Sequence, residues 1–252
     1  MNSLSALTRP MPCLSFNHGS GQGSGVSNFL RKYAQSLPRP PTGIVVAEAH
    51  LVHRKGDTVK MTGTPELAAK VAAHLGTADI RSQISNSNSW YSAHGSADVK
   101  HVFKDTPVVM ISVPTNNTSA SESLALGRAL APLRKQGVLI IGSGVPSFHN
   151  FSLLNKSLAA QRQKHCLAFV PWLTRTLAMG NVEERTKVLS SWRSAPSAGP
   201  CHPGTDSHFS PTLVCAGASL SPGRPVHAES HREILPMAGP IDWSTMRHFE
   251  FL

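Results

Sequence analysis

The stretch LALGRALAPLRKQGVLIIGSGVPSFHN, residues 124–150, contains a helix, a buried strand and a glycine-rich turn in that order. Leucines recur on one side of its first part, and this pattern predicts a helix over residues 119–135 that stops before Gly137. The continuous apolar run of residues 138–141 predicts a strand with both faces buried, because a half-exposed strand would alternate with polar residues. This order of elements is typical of α/β proteins.

The same alternation of apolar strands and amphipathic helices runs outward from this stretch in both directions. Three more buried strands are predicted at residues 12–17, 43–47 and 107–113, with helices at 26–37 and 65–75. Towards the C-terminus the patterns predict helices at 165–177, 182–192 and 209–218, a loop at 196–206 and an edge strand at 248–251. Alternating elements of this kind predict a three-layer α/β/α fold with a mostly parallel central sheet in a single domain.

The composition excludes several classes of protein. Of the 252 residues, 40% are hydrophobic and 15% are charged, which is too apolar for a disordered chain. The four cysteines include no C-x-x-C pair, so free thiols are predicted rather than a zinc knuckle or a redox dithiol. No apolar stretch reaches the roughly 20 residues that span a bilayer, and residues 1–10 lack the apolar core of a secretory signal. We therefore expect a cytoplasmic protein that does not associate with membranes.

The charge and the histidine content indicate different kinds of partner. The 24 lysines and arginines against 14 acidic residues leave a net charge of +10, which would suit nucleic acid. The basic residues are dispersed, however, and adjacent pairs occur only at residues 31–32, 54–55 and 134–135. We therefore expect no nucleic-acid binding. A mildly positive electrostatic field would attract anionic small molecules equally well. The 13 histidines, nearly as many as the acidic residues, favour metal or proton chemistry.

Three histidines follow predicted strands at the point where each strand ends. His18 comes directly after the first strand, His50 follows the second, and His149 follows the strand at 138–141 by a glycine-rich turn. The carboxyl ends of parallel strands meet at one edge of a sheet, where α/β proteins bind their ligands. Three imidazoles at one edge would bind zinc, iron, copper or nickel. The alternative is that these residues are simply polar side chains in loops, and spacing alone leaves both interpretations open.

Four segments give the chain a resemblance to a known family. NHGS at residues 17–20, IVVAEAH at 44–50, the stretch at 124–150 and WRSAPSAGPCHPGTDSHFSPTLVCAGA at 192–218 occur in this order. Together they resemble the class III extradiol ring-cleavage dioxygenases, in particular the 4,5-DOPA extradiol dioxygenase branch. The resemblance implies a metal-dependent dioxygenase that uses O2 to open a DOPA-like catechol ring beside its hydroxyls. It also implies a catalytic domain over residues 11–252 after a short N-terminal extension of residues 1–10, in a monomer or homodimer.

The resemblance assigns roles to histidines by their position in the matching segments. His18, His50 and His208 match metal ligands, and the ion implied is Fe(II) or Zn(II). His149 matches a histidine that is a further metal ligand in zinc-loaded members or an acid/base catalyst in iron-loaded ones. The resemblance also implies a catalytic, substrate-contacting role for His94 and a substrate-pocket position for His202. The remaining histidines are interpreted as ordinary surface or partly packed residues, namely His53, His74, His101, His165, His227, His231 and His248.

The chain departs from the family pattern at two places that bear on function. Glu48-Ala49-His50-Leu51 stands where the family has Ser-Ala-His-Trp. Glu48 and His50 share a face of an ideal strand, so Glu48 would either orient a histidine or add a carboxylate to the metal. Roughly twenty residues of a substrate-lining segment are absent after Gly63, because the chain runs almost directly into the helix that starts at Pro65. This absence supports an alternative function, that of a catalytically impaired metal-binding paralogue acting as a non-enzymatic binding protein.

Overall fold

The fold is seen in a computed structural model that describes residues 9–18, 24–54, 56–85, 94–114, 120–204, 207–226 and 247–252. Within these residues the strands are β1 (Cys13–Asn17), β2 (Gly43–His53), β3 (Val59–Gly63), β4 (Ser82–Ile84), β5 (Val108–Pro114), β6 (Val138–Gly144), β7 (Gly223–Val226) and β8 (His248–Phe251). The helices are α1 (Ser24–Ser36), α2 (Pro65–Gly76), α3 (His94–Val102), α4 (Ala120–Lys135), α5 (Ala159–Leu177), α6 (Val182–Ser190), α7 (Ala198–Cys201) and α8 (Ser210–Ala218).

The described strands form one mostly parallel sheet in the order β4-β3-β5-β2-β6-β1-β8-β7. The central strands β5, β2, β6 and β1 pair in parallel, and so do β3 and β4. Antiparallel pairs join β3 to β5, β1 to β8 and β8 to β7. The predicted α/β class with a mostly parallel sheet is therefore confirmed.

Helices cover both faces of this sheet, which gives the three predicted layers. Successive residues of a strand point to opposite faces, and β2 shows the division. Val45 and Ala47 belong to a hydrophobic cluster that includes buried residues of α2, α4, α5 and α8. Ile44 and Val46 belong to a second cluster that includes buried residues of α1 and α3. Because the central strands β5 and β6 are buried on both faces, their sequences are largely apolar rather than alternating.

The structure differs from the predicted elements at several places, and helix α3 was not predicted at all. The strands β3, β4 and β7 carry too few apolar residues to be predicted, and helix α5 begins at Ala159 instead of residue 165. Helix α7 lies within the predicted loop at 196–206, where glycine and proline favour a loop on sequence grounds. Strand β8 was predicted at an edge, but β7 pairs with its outer side and all four of its residues are buried. The place of a strand within a sheet is a tertiary property that its own sequence does not carry.

Two structural features bear on the predictions about membrane spans and cysteines. No helix among the described residues is long and apolar enough to cross a membrane. The four cysteines are buried and have free thiols, as their spacing predicts. Burial raises the pKa of the Cys13 thiol to about 11, because the thiolate is poorly stabilised away from water.

Candidate metal centre

Three histidines from distant parts of the chain meet at the carboxyl edge of the sheet. His18 follows β1 directly, and its backbone N–H donates to the carbonyl of Gly144 at the end of β6. His50 lies near the end of β2, and His208 lies in the turn before α8. One ligand nitrogen from each imidazole lies within 4.8 Å of the other two. Of the residues that the structure describes, these form the group able to hold a metal ion.

The rings are arranged around a common point. The ring centroids are 5.1 Å apart for His18 and His50, 5.4 Å for His18 and His208, and 4.8 Å for His50 and His208. The first two rings are nearly parallel and the third is almost perpendicular to both. Nitrogens bound to one tetrahedral zinc ion at about 2.1 Å lie about 3.4 Å apart, so the rings would move inward to bind one ion. The donor set of three imidazoles therefore fits a divalent transition metal.

An irregularity in β2 brings His50 to this position. Glu48 lies opposite Ser112 of β5, but the register then shifts so that Val52 lies opposite Val113. The residues between them bulge out of the ladder, as β-strands do beside functional sites. His50 is consequently exposed although the seven residues of β2 before it are buried. An ideal strand would have placed it on the same buried face as Glu48.

Close packing of the turn before α8 against β6 positions His208. A Cβ atom on Gly144 would lie 2.4 Å from the carbonyl oxygen of His208, so this approach requires glycine. The same carbonyl accepts a 3.0 Å hydrogen bond from the backbone N–H of Val145. The Ser207 hydroxyl donates to the carbonyl of Ala49, which ties the turn to the bulge of β2. Glycine at the end of β6 thus permits the close approach of the turn that carries His208.

The ring of His149 lies beside the three-histidine group without belonging to it. It stacks on the His208 ring at a centroid distance of 3.5 Å, and the Phe151 ring meets it edge-on at 4.8 Å. Its backbone N–H donates to the carbonyl of Cys201, which holds the loop after β6 in place. An open cavity of about 360 Å³ lies over these rings. Its lining consists of His149, Asn150, Phe151, Ser152, Pro203, Ser207 and His208.

A buried carboxylate stands behind the histidines. Glu48 is 0% exposed, and its Oε1 lies 3.8 Å from Nδ1 of His18. The same oxygen accepts a 3.2 Å hydrogen bond from the backbone N–H of His50, and Oε2 accepts one from the Ser96 hydroxyl. The Ser143 hydroxyl lies 3.0 Å from Nδ1 of His18 and also bonds to Glu48. Burial raises the pKa of the Glu48 carboxyl, and these hydrogen bonds lower it in part.

Helix α3 reaches this carboxylate because its second residue is glycine. A Cβ atom on Gly95 would lie 2.6 Å from the Ser143 hydroxyl oxygen, 2.7 Å from Cβ of His18 and 2.7 Å from the Phe16 ring. The missing side chain lets the start of the helix pack against the ends of β1 and β6. Ser96, one residue later, is then close enough to bond to Glu48.

Two further predicted site residues have different surroundings. The backbone of His94 begins helix α3, but its side chain is outside the described part of the structure, so its role stays a prediction. His202 is 0% exposed and packs against the rings of Phe169, Trp192 and Phe209. Its position in a substrate pocket stays a prediction.

Two histidines that were predicted to be ordinary surface or partly packed residues are buried. His53 bonds through Nδ1 to the Ser112 hydroxyl at 2.8 Å, and burial lowers its pKa. His248 accepts a hydrogen bond from the backbone N–H of Asn17 and stacks on Phe29 with centroids 4.0 Å apart. It thereby holds the end of β1 immediately before His18. Their positions at the ends of β2 and β8 are the only sequence feature that could have indicated burial. An isolated histidine at a strand end does not show which residues it will bond to or pack against.

Comparison with known proteins agrees with this geometry. Residues 39–246 match the family model described as the catalytic LigB subunit of aromatic ring-opening dioxygenase. The chain belongs to this family. Within the LigB family model lie His50, His149 and His208, whereas His18 precedes the matched range.

Two relatives of this LigB-family chain match part of its sequence. A dioxygenase of Hapsidospora irregularis, tasH, is 35% identical over 122 residues, which are 46% of this chain and 37% of the relative. The 4,5-DOPA dioxygenase extradiol of Beta vulgaris is 31% identical over 160 residues, which are 62% of this chain and 57% of the relative. The matches thus span between about a third and three fifths of these relatives' own lengths.

A solved structure confirms the fold of the LigB-family chain. The crystal structure of an uncharacterized protein from Escherichia coli K12 superimposes with a TM-score of 0.68 and covers 96% of this chain and 100% of that chain. The two sequences are 20% identical, so this likeness concerns the architecture alone.

Proposed function

We propose that the chain is a metal-dependent dioxygenase that opens the ring of a catechol, of the DOPA type, beside its two hydroxyls with O2. The single observation that carries this proposal is the convergence of His18, His50 and His208 at the carboxyl edge of the sheet, with His208 lining an open cavity. Membership of the ring-opening dioxygenase family supports the same reaction class.

The three imidazoles would hold Fe(II) as the catalytic ion, and Zn(II) fits the same donors. Bound iron would supply open positions for both catechol oxygens and for O2 and would pass electron density between them. Neutral imidazoles suit this purpose because they leave the ion with its positive charge. A catechol ring would enter the open cavity beside His208, where Phe151 provides an apolar part of the lining.

His149 is the residue we assign to proton transfer. A catechol that binds through its two oxygens must lose a proton from a hydroxyl, and a nearby imidazole can accept it and return it to the product side. His149 lines the cavity next to His208 and lies outside the three-nitrogen group, so it can serve the substrate without binding the ion. His94 is proposed as a second substrate-contacting histidine, on the resemblance alone.

The reaction is tested with protein that has been loaded with Fe(II) in the absence of O2. An oxygen electrode should record the uptake of one O2 per catechol when DOPA, protocatechuate or unsubstituted catechol is added, and a coloured ring-opened product should appear. Mass spectrometry with labelled O2 should find both oxygen atoms in the product. If iron-loaded protein consumes no O2 with any catechol of the panel, the dioxygenase proposal is overturned.

The metal is tested separately by elemental analysis. Joint replacement His18→Ala and His50→Ala should abolish the bound ion, because one remaining imidazole cannot hold it against competing ligands. The control is the joint replacement His74→Ala and His165→Ala, at two histidines outside the site, which should retain the ion. Equal metal content in both double variants would contradict the assignment of the centre.

The second candidate function is a metal-binding protein without turnover. Strand β3 ends at Gly63 and helix α2 starts at Pro65, so no substrate-lining segment intervenes between them. This observation favours impaired catalysis, because one wall of a closed pocket would be missing. It predicts one bound ion per chain in the elemental analysis and no O2 uptake, a combination that the two measurements above distinguish from dioxygenase activity.

A further inference from the structure

Glu48 is a buried carboxylate that lies behind the metal centre and does not line the cavity. Its oxygens are not part of the group of ligand atoms that lie within 4.8 Å of one another. A buried carboxylate is unfavourable unless hydrogen bonds and a positive charge compensate for the loss of water. Its ion-pair partner in the described part of the chain is the ring of His18, at 3.8 Å.

The hydroxyl of Ser143 connects the two side chains. It lies 3.0 Å from Nδ1 of His18 and donates to the carboxylate of Glu48. A hydroxyl has one proton, so when it donates to Glu48 it accepts from His18, and Nδ1 must carry the proton. The lone pair of the neutral ring then lies on Nε2. The hydrogen-bond chain from Glu48 through Ser143 thus selects the tautomer of His18 that offers Nε2 to a metal ion.

Glu48 also acts on the second histidine of the centre. Its Oε1 accepts the backbone N–H of His50, at the point where β2 leaves its register. This hydrogen bond stabilises the start of the bulge, and the bulge makes His50 exposed. The other oxygen, Oε2, is held by Ser96 at the start of α3, whose approach depends on Gly95. Both oxygens are therefore fixed, and the carboxylate cannot swing into the cavity without breaking these bonds.

We propose that Glu48 is a positioning carboxylate of the metal centre, which orients His18 through Ser143 and His50 through its backbone. This inference rests on the metal centre of the proposed function. It resolves the two alternatives left by the sequence in favour of orienting a ligand. The residue distinguishes this chain from the family pattern, in which serine stands at this position.

The main test is Glu48→Gln, which keeps the shape of the side chain and removes its charge. The dissociation constants of Zn(II) and Co(II) are measured by competition with a chelator, and the visible spectrum of the Co(II) form reports the ligand geometry. Loss of such a supporting carboxylate weakens metal binding by about 10- to 100-fold, and we expect this loss for Glu48→Gln. The free energy of unfolding of the metal-free protein is measured on the same variant, so that an effect on metal binding can be distinguished from a general loss of stability.

A second variant isolates the path through the hydroxyl. Ser143→Ala removes the link between Glu48 and His18 and leaves the carboxylate charged. Because the two residues act in one chain of hydrogen bonds, the double variant should weaken metal binding by less than the product of the two single effects. Ser112→Ala is the matched control: Ser112 is also a buried serine opposite Glu48 and bonded to a histidine, His53, but that histidine lies outside the centre. It should leave metal binding unchanged.

The outcomes separate this inference from the proposed function. If Glu48→Gln binds both ions as tightly as the wild type, with the same Co(II) spectrum, the role of Glu48 is overturned while oxygen uptake by the wild type still stands. The role is also overturned if the weaker binding merely follows a loss of stability of the metal-free protein, or if the effects of Glu48→Gln and Ser143→Ala multiply. A wild-type chain that binds no metal overturns both proposals.

Discussion

The rings of His149 and His208 stack face to face, with their centroids 3.5 Å apart and an angle of 16° between their planes. His208 is part of the three-nitrogen group and His149 is not. The stacked pair therefore connects the three-histidine group to the cavity that both rings line. In the proposed function, His208 would bind the metal ion and His149 would transfer a proton.

Replacement of His149 tests this division. His149→Phe keeps a flat ring over His208 and removes both nitrogens, so iron should remain bound while kcat for ring opening falls about 10²- to 10⁴-fold, as general acid–base catalysis predicts. His149→Gln serves as a second variant of smaller bulk. Steady-state oxygen uptake and iron analysis on the same samples provide the measurement. Loss of iron in both variants would instead make His149 a metal ligand.

Phe151 should contribute to substrate binding. Its side chain is 65% exposed although it is aromatic, and it lines the cavity next to His149. An aromatic pair contributes about 0.5–1.5 kcal/mol beyond its buried area, so Phe151→Ala should raise KM for a catechol about 2- to 12-fold with little change in kcat. Leu220→Ala, at an exposed apolar residue elsewhere on the surface, is the control and should leave KM unchanged. An unaltered KM in Phe151→Ala would remove this residue from the substrate site.

Gly95 should tolerate no side chain. Gly95→Ala would place a Cβ atom 2.6 Å from the Ser143 hydroxyl oxygen and 2.7 Å from Cβ of His18, so α3 must move away from the ends of β1 and β6. We expect weaker metal binding and a loss of about 1–3 kcal/mol in the free energy of unfolding, as overpacking of a filled interior produces. Gly199→Ala is the matched control, because Gly199 is also the second residue of its helix and a Cβ there meets nothing within 4 Å. Similar stabilities of the two variants would contradict the close packing of α3.

The buried His53 should make stability depend on pH. Burial lowers its pKa in the folded chain below the ordinary value of 6.5, so the unfolded chain binds the proton more tightly. The contribution of the neutral ring is therefore complete above pH 6.5 and is lost as the pH falls towards the folded pKa. Urea unfolding of the wild type and His53→Gln between about pH 7.5 and pH 5 should show a steeper decline for the wild type. Parallel declines would show that His53 takes up no proton on unfolding.

The local sequence determined the fold class and the elements that build it. Continuous apolar runs such as residues 138–141 predict strands with two buried faces, and the leucines of residues 124–133 predict the helix beside them. Both signals are periodicities that are complete within a dozen residues, so they can be read without knowledge of the rest of the chain. The same local reading placed His18 and His50 at strand ends, which was enough to indicate a shared edge of the sheet.

Only the tertiary structure decided how the site is assembled. From the sequence alone, Glu48 could either orient a histidine or bind the metal, since an ideal strand would put it on the same face as His50. The bulge after Glu48 separates them, and the packing of α3 gives the carboxylate its partner Ser96. His248 was likewise treated as ordinary, although it holds the end of β1 from 231 residues away along the chain. Strand order, bulges and close approaches depend on contacts between segments that are distant in sequence, and a local pattern carries no record of those contacts.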